Sequence, residues 1–312
     1  MTHDPSARRS SRISRGGAWR WLAVAIATAI LIVPSALVGQ RGARERHIFV
    51  AVANQDDAPI TDLTAADFRV REDGVAREVL RVTPANDPMQ IALLVDDSEI
   101  AQRAVTEIRN GVAGFVKQIL DASPQSEITL MTFGDRPTTL VEWTSSAPAL
   151  AKGIEKIFFR KGAGAVLMQA IDESARALKK KEAKRPAIVA FDIEDGVEFS
   201  NDSNESIART LKDTGVPLWP VLLLEQRSPP TSPEARERAI VVSDVATESG
   251  GGNKRLISRQ AIGLGFTWAA TRLLSQLDVT YNRPEALIPP NKLDVEVTRR
   301  DVRVWAPHWG RQ

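Results

Sequence analysis

Residues 89–100 read Met89-Gln90-Ile91-Ala92-Leu93-Leu94-Val95-Asp96-Asp97-Ser98-Glu99-Ile100. A near-continuous apolar run ending in an acid describes a strand buried on both faces, the condition of a parallel sheet covered by helices. A second run, Ala187-Ile188-Val189-Ala190-Phe191, ends the same way, in Asp192. Around these two the pattern alternates. Apolar residues at helical spacing follow the first run, with Ile100, Ala104, Ile108, Val112, Phe115, Val116 and Ile119 on one stripe. Residues 128–133 read as the next strand and 139–143 as an antiparallel partner. Helices are expected over 147–157, 166–181 and 203–212, and a strand over 216–224, placed near the sheet edge by Pro217 and Pro220. The fold class is therefore α/β: a doubly wound, mostly parallel, Rossmann-like sheet. Ligands of such sheets sit outside the carboxyl ends of the strands, so Asp96 and Asp192 are expected on one rim.

Working toward the amino terminus, residues 47–84 read as a small β unit. Glu72-Asp73-Gly74 between two β-rich runs is a hairpin signal, and residues 61–67 fit one capped helical turn. Toward the carboxyl terminus, residues 226–233 form a Pro/Ser-rich connector, and helices are expected over 233–249 and 258–276. Residues 277–281 and 292–298 read as a strand pair, followed by 302–305, so the accessory β unit is built from N- and C-terminal strands. Gly250-Gly251-Gly252 lacks the Lys-Ser/Thr that a phosphate loop requires and reads as a helix stop. Trp219, Trp268, Trp305 and Trp309 read as core or cap aromatics.

At the start of the chain, residues 21–39 are apolar except for Thr28, Pro34 and Ser35, and five arginines precede them. About 19 helical residues span roughly 28 Å, enough for a hydrocarbon core. A cleaved signal peptide and an uncleaved signal anchor both fit; the length and the missing small-x-small motif favour the anchor. Either way the arginines stay inside and the body is placed outside the cytoplasmic membrane, or secreted after cleavage. The expected organisation is a basic cytoplasmic tail (1–20), the membrane segment (21–39), the β unit (47–84), the α/β domain (89–226) and a C-terminal part of helices and a strand pair (227–312).

Composition narrows the chemistry. The 312 residues contain no cysteine, which removes thiol nucleophiles and thiolate metal sites, and only His3, His47 and His308. The net charge of +2 hides an asymmetry. Residues 1–46 carry eight arginines against Asp4 and Glu45, leaving 33 basic and 37 acidic residues in the body. A mildly acidic body does not suit nucleic acid. The basic run 179–185 reads as a solvated helix end. Together these point away from an enzyme.

The order of several phrases resembles the von Willebrand factor A-related proteins common in acidobacterial envelopes. Leu63-Thr64-Ala65-Ala66-Asp67-Phe68 with Glu72-Asp73-Gly74 is similar to that family's "LTAEDF…EDG", and Asp96-Asp97-Ser98-Glu99-Ile100 to "DTSGSM". Residues 162–171 resemble "GGTALYDAI", 190–195 "LTDGED", and 276–297 the family's tail. The resemblance covers residues 47–310 and implies a von Willebrand A domain. Such domains hold Mg²⁺ at a metal-ion-dependent adhesion site, where two serines, a threonine and two aspartates converge and an acidic group of the partner completes the octahedron. Asp96, Ser98 and Asp192 match that set. Ile100 stands at the second serine, Ala165 at the threonine, and Ile193 at the glycine after the second aspartate. The implied site is degenerate. Lys161, or else Arg160, is the expected substitute for the metal's charge. Asp97, Glu99, Glu194 and Asp195 offer a looser alternative that would take Ca²⁺ in place of Mg²⁺. The functional expectation is a non-enzymatic, envelope-facing interaction module that binds a protein or envelope polymer at the Asp96/Asp192 rim. The alternative is a structural or assembly subunit of an envelope complex with a vestigial rim.

Overall fold

The computed structural model describes residues 43–225, 232–284 and 288–310. The expected membrane segment lies outside these, as does most of the 226–233 connector. Among the described residues, no helix is long and apolar enough to cross a membrane. The chain enters on β1 (Ala43–Asn54), where Ile48, Val50 and Val52 point into one core while Ala51 joins another. A short 3₁₀ turn at Ala65–Asp67 is closed by a Thr64/Asp67 capping box. β2 (Phe68–Glu72) and β3 (Val75–Arg77) then pair as a hairpin. Asp73 and Gly74 sit in its turn at φ 48° and 83°, the left-handed pair that a two-residue hairpin loop requires. β4 (Val79–Pro84) follows.

The apolar run at 89–95 forms β5 (Gln90–Val95). It lies in a six-stranded sheet with β6 (Glu127–Thr132), β7 (Thr138–Thr144), β8 (Pro186–Ile193), β9 (Leu218–Leu223) and β10 (Lys254–Leu256), in the order β10-β9-β8-β5-β6-β7. Neighbours are parallel except β6 and β7. Alternate residues of β5 serve opposite faces. Ile91, Leu93 and Val95 meet α1 (Val105–Ala122) and α2 (Ala147–Ile154). Ala92 and Leu94 meet α3 (Leu167–Lys180) and α4 (Asn204–Thr214). α5 (Pro233–Ile240) runs on through a π turn at Val241–Val245 into the second face, and α6 (Ile262–Leu274) packs on the first. There Phe266 lies 6.2 Å from Phe115 and 5.7 Å from Phe191 between ring centroids.

Three expectations change here. Residues 227–312 are not a separate part, because α5 and α6 cover the two faces of the sheet and β10 extends its edge. Ile100 is not on the stripe of α1. The helix begins only at Val105, and Ile100 sits half-exposed on a 3₁₀ turn, Glu99–Arg103. The run 179–185 is a solvated helix end only as far as Lys184. Arg185 is buried, donating to the carbonyls of Ala85 (2.6 Å), Asp87 (3.2 Å) and Leu273 and to Gln276 Oε1. It clamps the linker before β5 to the end of α6.

β11 (Leu277–Pro284), β12 (Leu293–Val297) and β13 (Val302–Trp305) return to the amino-terminal strands. The expected pairing of 277–281 with 292–298 is corrected: β11 pairs with β4, and β12 with β2. The result is two antiparallel sheets, β13-β1-β11-β4 and β12-β2-β3. Their shared core contains Val50, Phe68, Val70, Val279 and Leu293. A β11–β12 hairpin would leave Phe68 and Val70 without that cover. Glu72 is buried in this unit and held by Arg77 (2.9 Å), Arg283 (3.2 Å) and the Tyr281 hydroxyl (2.8 Å).

Candidate functional site

The register of β5 against β8 decides the rim. Val95 lies opposite Phe191, so the next residues, Asp96 and Asp192, are neighbours at the carboxyl ends of adjacent strands. Both are fully buried. Asp96 Oδ1 accepts the Ser98 N–H at 2.8 Å and Oδ2 the Ile193 N–H at 3.3 Å. Neither oxygen of Asp192 has a hydrogen-bond partner among the described residues.

The cation beside them is Arg238, from α5. Its side chain is 3% exposed, and Nη1 lies 3.6 Å from Asp192 Oδ1 and 3.8 Å from Glu198 Oε2. Nη2 donates to the carbonyls of Glu194 (2.6 Å) and Gly196 (3.2 Å) in the loop after β8. Glu198 is itself buried and accepts the Ser200 N–H at 3.1 Å. Three carboxylates thus share one guanidinium away from water. Burial pushes the Asp192 carboxyl up to about 8; Arg238 opposes this, while Asp96, Glu198 and Glu194 add to it. Burial likewise raises Asp96 and Glu198 against the hydrogen bonds that each accepts. For Arg238, burial works against the charge, but the surrounding acids outweigh it and hold the guanidinium charged.

Arg160 goes elsewhere. Its Nε donates to Asp97 Oδ2 at 2.9 Å, and its own N–H to the Asp97 carbonyl at 2.8 Å. Asp97 Oδ1 takes the Gly134 N–H at 2.6 Å, so this pair ties the loop after α2 to the one after β6. Lys161 is exposed. The expected substitution by Lys161 or Arg160 is therefore corrected: the charge beside Asp192 comes from Arg238. The looser acidic set is dispersed as well. Glu99 accepts the Gly162 N–H, Glu194 pairs with Arg255, and Asp195 accepts the Glu225 N–H. Ile100 and Ala165 stand on the rim loops without an oxygen donor, and Ala165 is fully buried between bridges to Gly134 and Glu198. These side chains do not fit Mg²⁺: two of its hydroxyl donors are absent and a guanidinium lies at its carboxylates.

Sequence reasoning missed both Arg238 and Glu198. A signal existed for the first. Arg238, Val241, Val242 and Val245 follow i, i+3, i+4, i+7, which puts the arginine on the apolar stripe of an otherwise polar helix. Glu198 has no comparable signature, since a loop acid is usually solvated.

Above the buried cluster the rim is apolar. Phe158 is 59% exposed, Val197 58%, Phe199 57% and Ile100 37%. Their three loops are strapped by backbone bonds, among them Glu99 N–H to Ala163, Ala165 N–H to Val197 and Phe199 N–H to Ala165. Phe199 lies over Gly164, where a Cβ would stand 2.3 Å from the ring.

Residues 91–196 match the family model of the von Willebrand factor type A domain. No curated protein matches the chain in sequence. Among solved structures, the chain is similar to the VWA domain of SpRpn10: 20% identity, 57% of this chain and 93% of that one, TM-score 0.44. An aerotolerance-related membrane protein of Bacteroides fragilis is 15% identical over 58% of this chain and 98% of its own, TM-score 0.43. The PilB minor pilin of Streptococcus sanguinis is 10% identical over 61% and 62%, TM-score 0.46.

Proposed function

Because residues 91–196 are a von Willebrand factor type A domain, we propose that the chain is a non-enzymatic, adhesion-type interaction module of the envelope, held by its 21–39 segment and binding a protein or envelope polymer at the sheet rim. Its metal-ion-dependent adhesion site is degenerate. The observation that supports this reading is the set of exposed side chains Ile100, Phe158, Val197 and Phe199 on three mutually strapped loops. Large apolar groups held in water by a rigid frame are the usual mark of a contact surface. Asp96 and Asp192 are too deeply buried to touch a partner, so they serve the shape of the rim and leave contact to the residues above. The body fits the exported topology in charge, being mildly acidic and without thiols.

Capture by the full chain, solubilised in mild detergent and offered envelope extract, tests the proposal. The wild type should retain the same partner in Mg²⁺ and in EDTA, and Val197→Ser with Phe199→Ser should weaken retention at least about tenfold. Charge reversal on the α3–α4 face, at Arg176 and Lys180, should leave it unchanged. The opposite pattern, with the helix face required and the rim dispensable, would instead mark an assembly subunit with a vestigial rim.

A further inference from the structure

Arg238 stands on the apolar stripe of its helix, and its guanidinium lies where four oxygens converge. These are carboxylate oxygens of Asp192 and Glu198 at 3.6 and 3.8 Å, and the carbonyls of Glu194 and Gly196 at 2.6 and 3.2 Å. Gathering oxygens from the end of one strand and the loop beyond it is what a bound cation does. Here the cation is covalently part of the chain. We propose that Arg238 is the resident cation of this rim, a built-in replacement for a divalent ion, and that shortening this one side chain turns the same cluster into a divalent-cation site.

Three independent observations converge on this. First, the loss of donors and the gain of charge occur together. Ile100 and Ala165 carry no oxygen, at the two positions where the implied site takes hydroxyls. Second, the acids remain. Asp96, Asp192 and Glu198 are all within 1% of complete burial, and buried carboxylates without a counter-charge are strongly unfavourable. Third, the partners of the guanidinium are incomplete. Asp192 Oδ1 and Oδ2, Glu198 Oε2, Ser98 Oγ and Arg238 Nη1 are all buried without a hydrogen-bond partner among the described residues. Oxygens so placed remain able to take a small, hard cation once the guanidinium is gone. The arrangement also separates recognition from metal supply. A divalent ion at such a rim offers open coordination positions to an acidic partner, whereas a guanidinium only 3% exposed offers none.

The inference rests on the cluster and not on the partner-binding reading, and its test requires no partner. Thermal unfolding of the full chain is followed in EDTA and in excess Mg²⁺, Mn²⁺ or Ca²⁺, alongside calorimetric titration with each metal. The wild type should show the same midpoint in all four and no binding heat. Arg238→Met, which keeps the stem and removes the charge, should lower the midpoint in EDTA by roughly 10 °C, and one of the metals should restore at least half of it. Arg238→Lys should stay indifferent to metal. If Arg238→Met does not fold, the double variant Arg238→Met with Asp192→Asn is measured instead. It should fold in EDTA, because it removes one charge of each sign and leaves the net charge of the cluster as it is in the wild type. Stoichiometric binding of a divalent ion to the wild type would overturn the proposal. So would an Arg238→Met protein that is silent to all three metals, whether destabilised or not, or a double variant that fails to fold. Failure of the capture experiment above would leave all these results unchanged.

Discussion

Alanine at Gly251 is expected to abolish folding of the body. A Cβ built there would stand 1.8 Å from the carbonyl oxygen of Leu218 and 2.6 Å from its carbonyl carbon. Both are backbone atoms of the first residue of β9, which is fixed in register against β8, so no side chain can swing aside. The neighbourhood is tied on both flanks. Leu218 receives the Gly252 N–H at its carbonyl and gives its own N–H to Ser249 Oγ at 2.9 Å, while Gly251 bonds back to Ala246. Relief therefore demands moving β9 or the helix end, and overpacking against backbone exceeds the ~1–3 kcal/mol typical of overfilled cores. Soluble yield and the circular dichroism melt report the result. Gly114→Ala is the control. It lies on the exposed side of α1, with nothing within 4 Å of a new Cβ, and should gain roughly 0.5–1 kcal/mol from helix propensity. Equal melts for the two variants would remove the steric argument.

That glycine also shows how far sequence reaches. The triple glycine reads correctly as a helix stop, and Gly250, at φ 93°, does that work by adopting a backbone conformation that side chains avoid. The reason for Gly251 is a contact with a strand 33 residues earlier, which no local pattern encodes. The same division runs through the whole chain. Ile91–Val95 and Ala187–Phe191 announce their burial because both faces of a central strand are covered, and their terminal aspartates meet because parallel neighbours end at the same rim. Asp73-Gly74 announces its turn because its backbone angles are local. The partners of β11 and β12 are not local. β11 lies between β1 and β4 while β12 joins β2, and short antiparallel strands carry no mark of which edge they will meet. Arg238 falls between the two cases. Its place on an apolar stripe was legible, but its destination depends on the loop after β8 and on Glu198. The loop cations beside Gly162 are close to the rim in sequence, but Arg160 is committed to Asp97.

Stability should fall as pH rises from 5 to 8, and Asp192 should account for much of that fall. Its carboxyl is pushed from an ordinary value near 4 up to about 8, by burial above all, with Arg238 opposing and the neighbouring acids adding. Between those two values the folded protein holds a proton that the unfolded chain has released. Folding is therefore favoured at the acidic end of the window and progressively less so toward pH 8, beyond which this contribution is flat. Asp96 and Glu198, both raised by burial, act with the same sign. The carboxylates of Asp57 and Asp172 are lowered; burial raises both, but hydrogen bonds and ion pairs to basic neighbours, and for Asp172 also the Thr210 hydroxyl, outweigh it. They act in the opposite sense, but only below about pH 4, outside the window. The wild-type midpoint should drop on the order of 5 °C or more between pH 5 and pH 8. Asp192→Asn should remove at least half of that slope and melt above the wild type at pH 8. The cost of the change is small, because neither Asp192 oxygen has a hydrogen-bond partner to lose and Arg238 keeps Glu198 at 3.8 Å. Comparing the two proteins at each pH cancels every group that they share outside the cluster. Parallel pH profiles would mean that Asp192 is ionised throughout, and that the guanidinium compensates its burial in full.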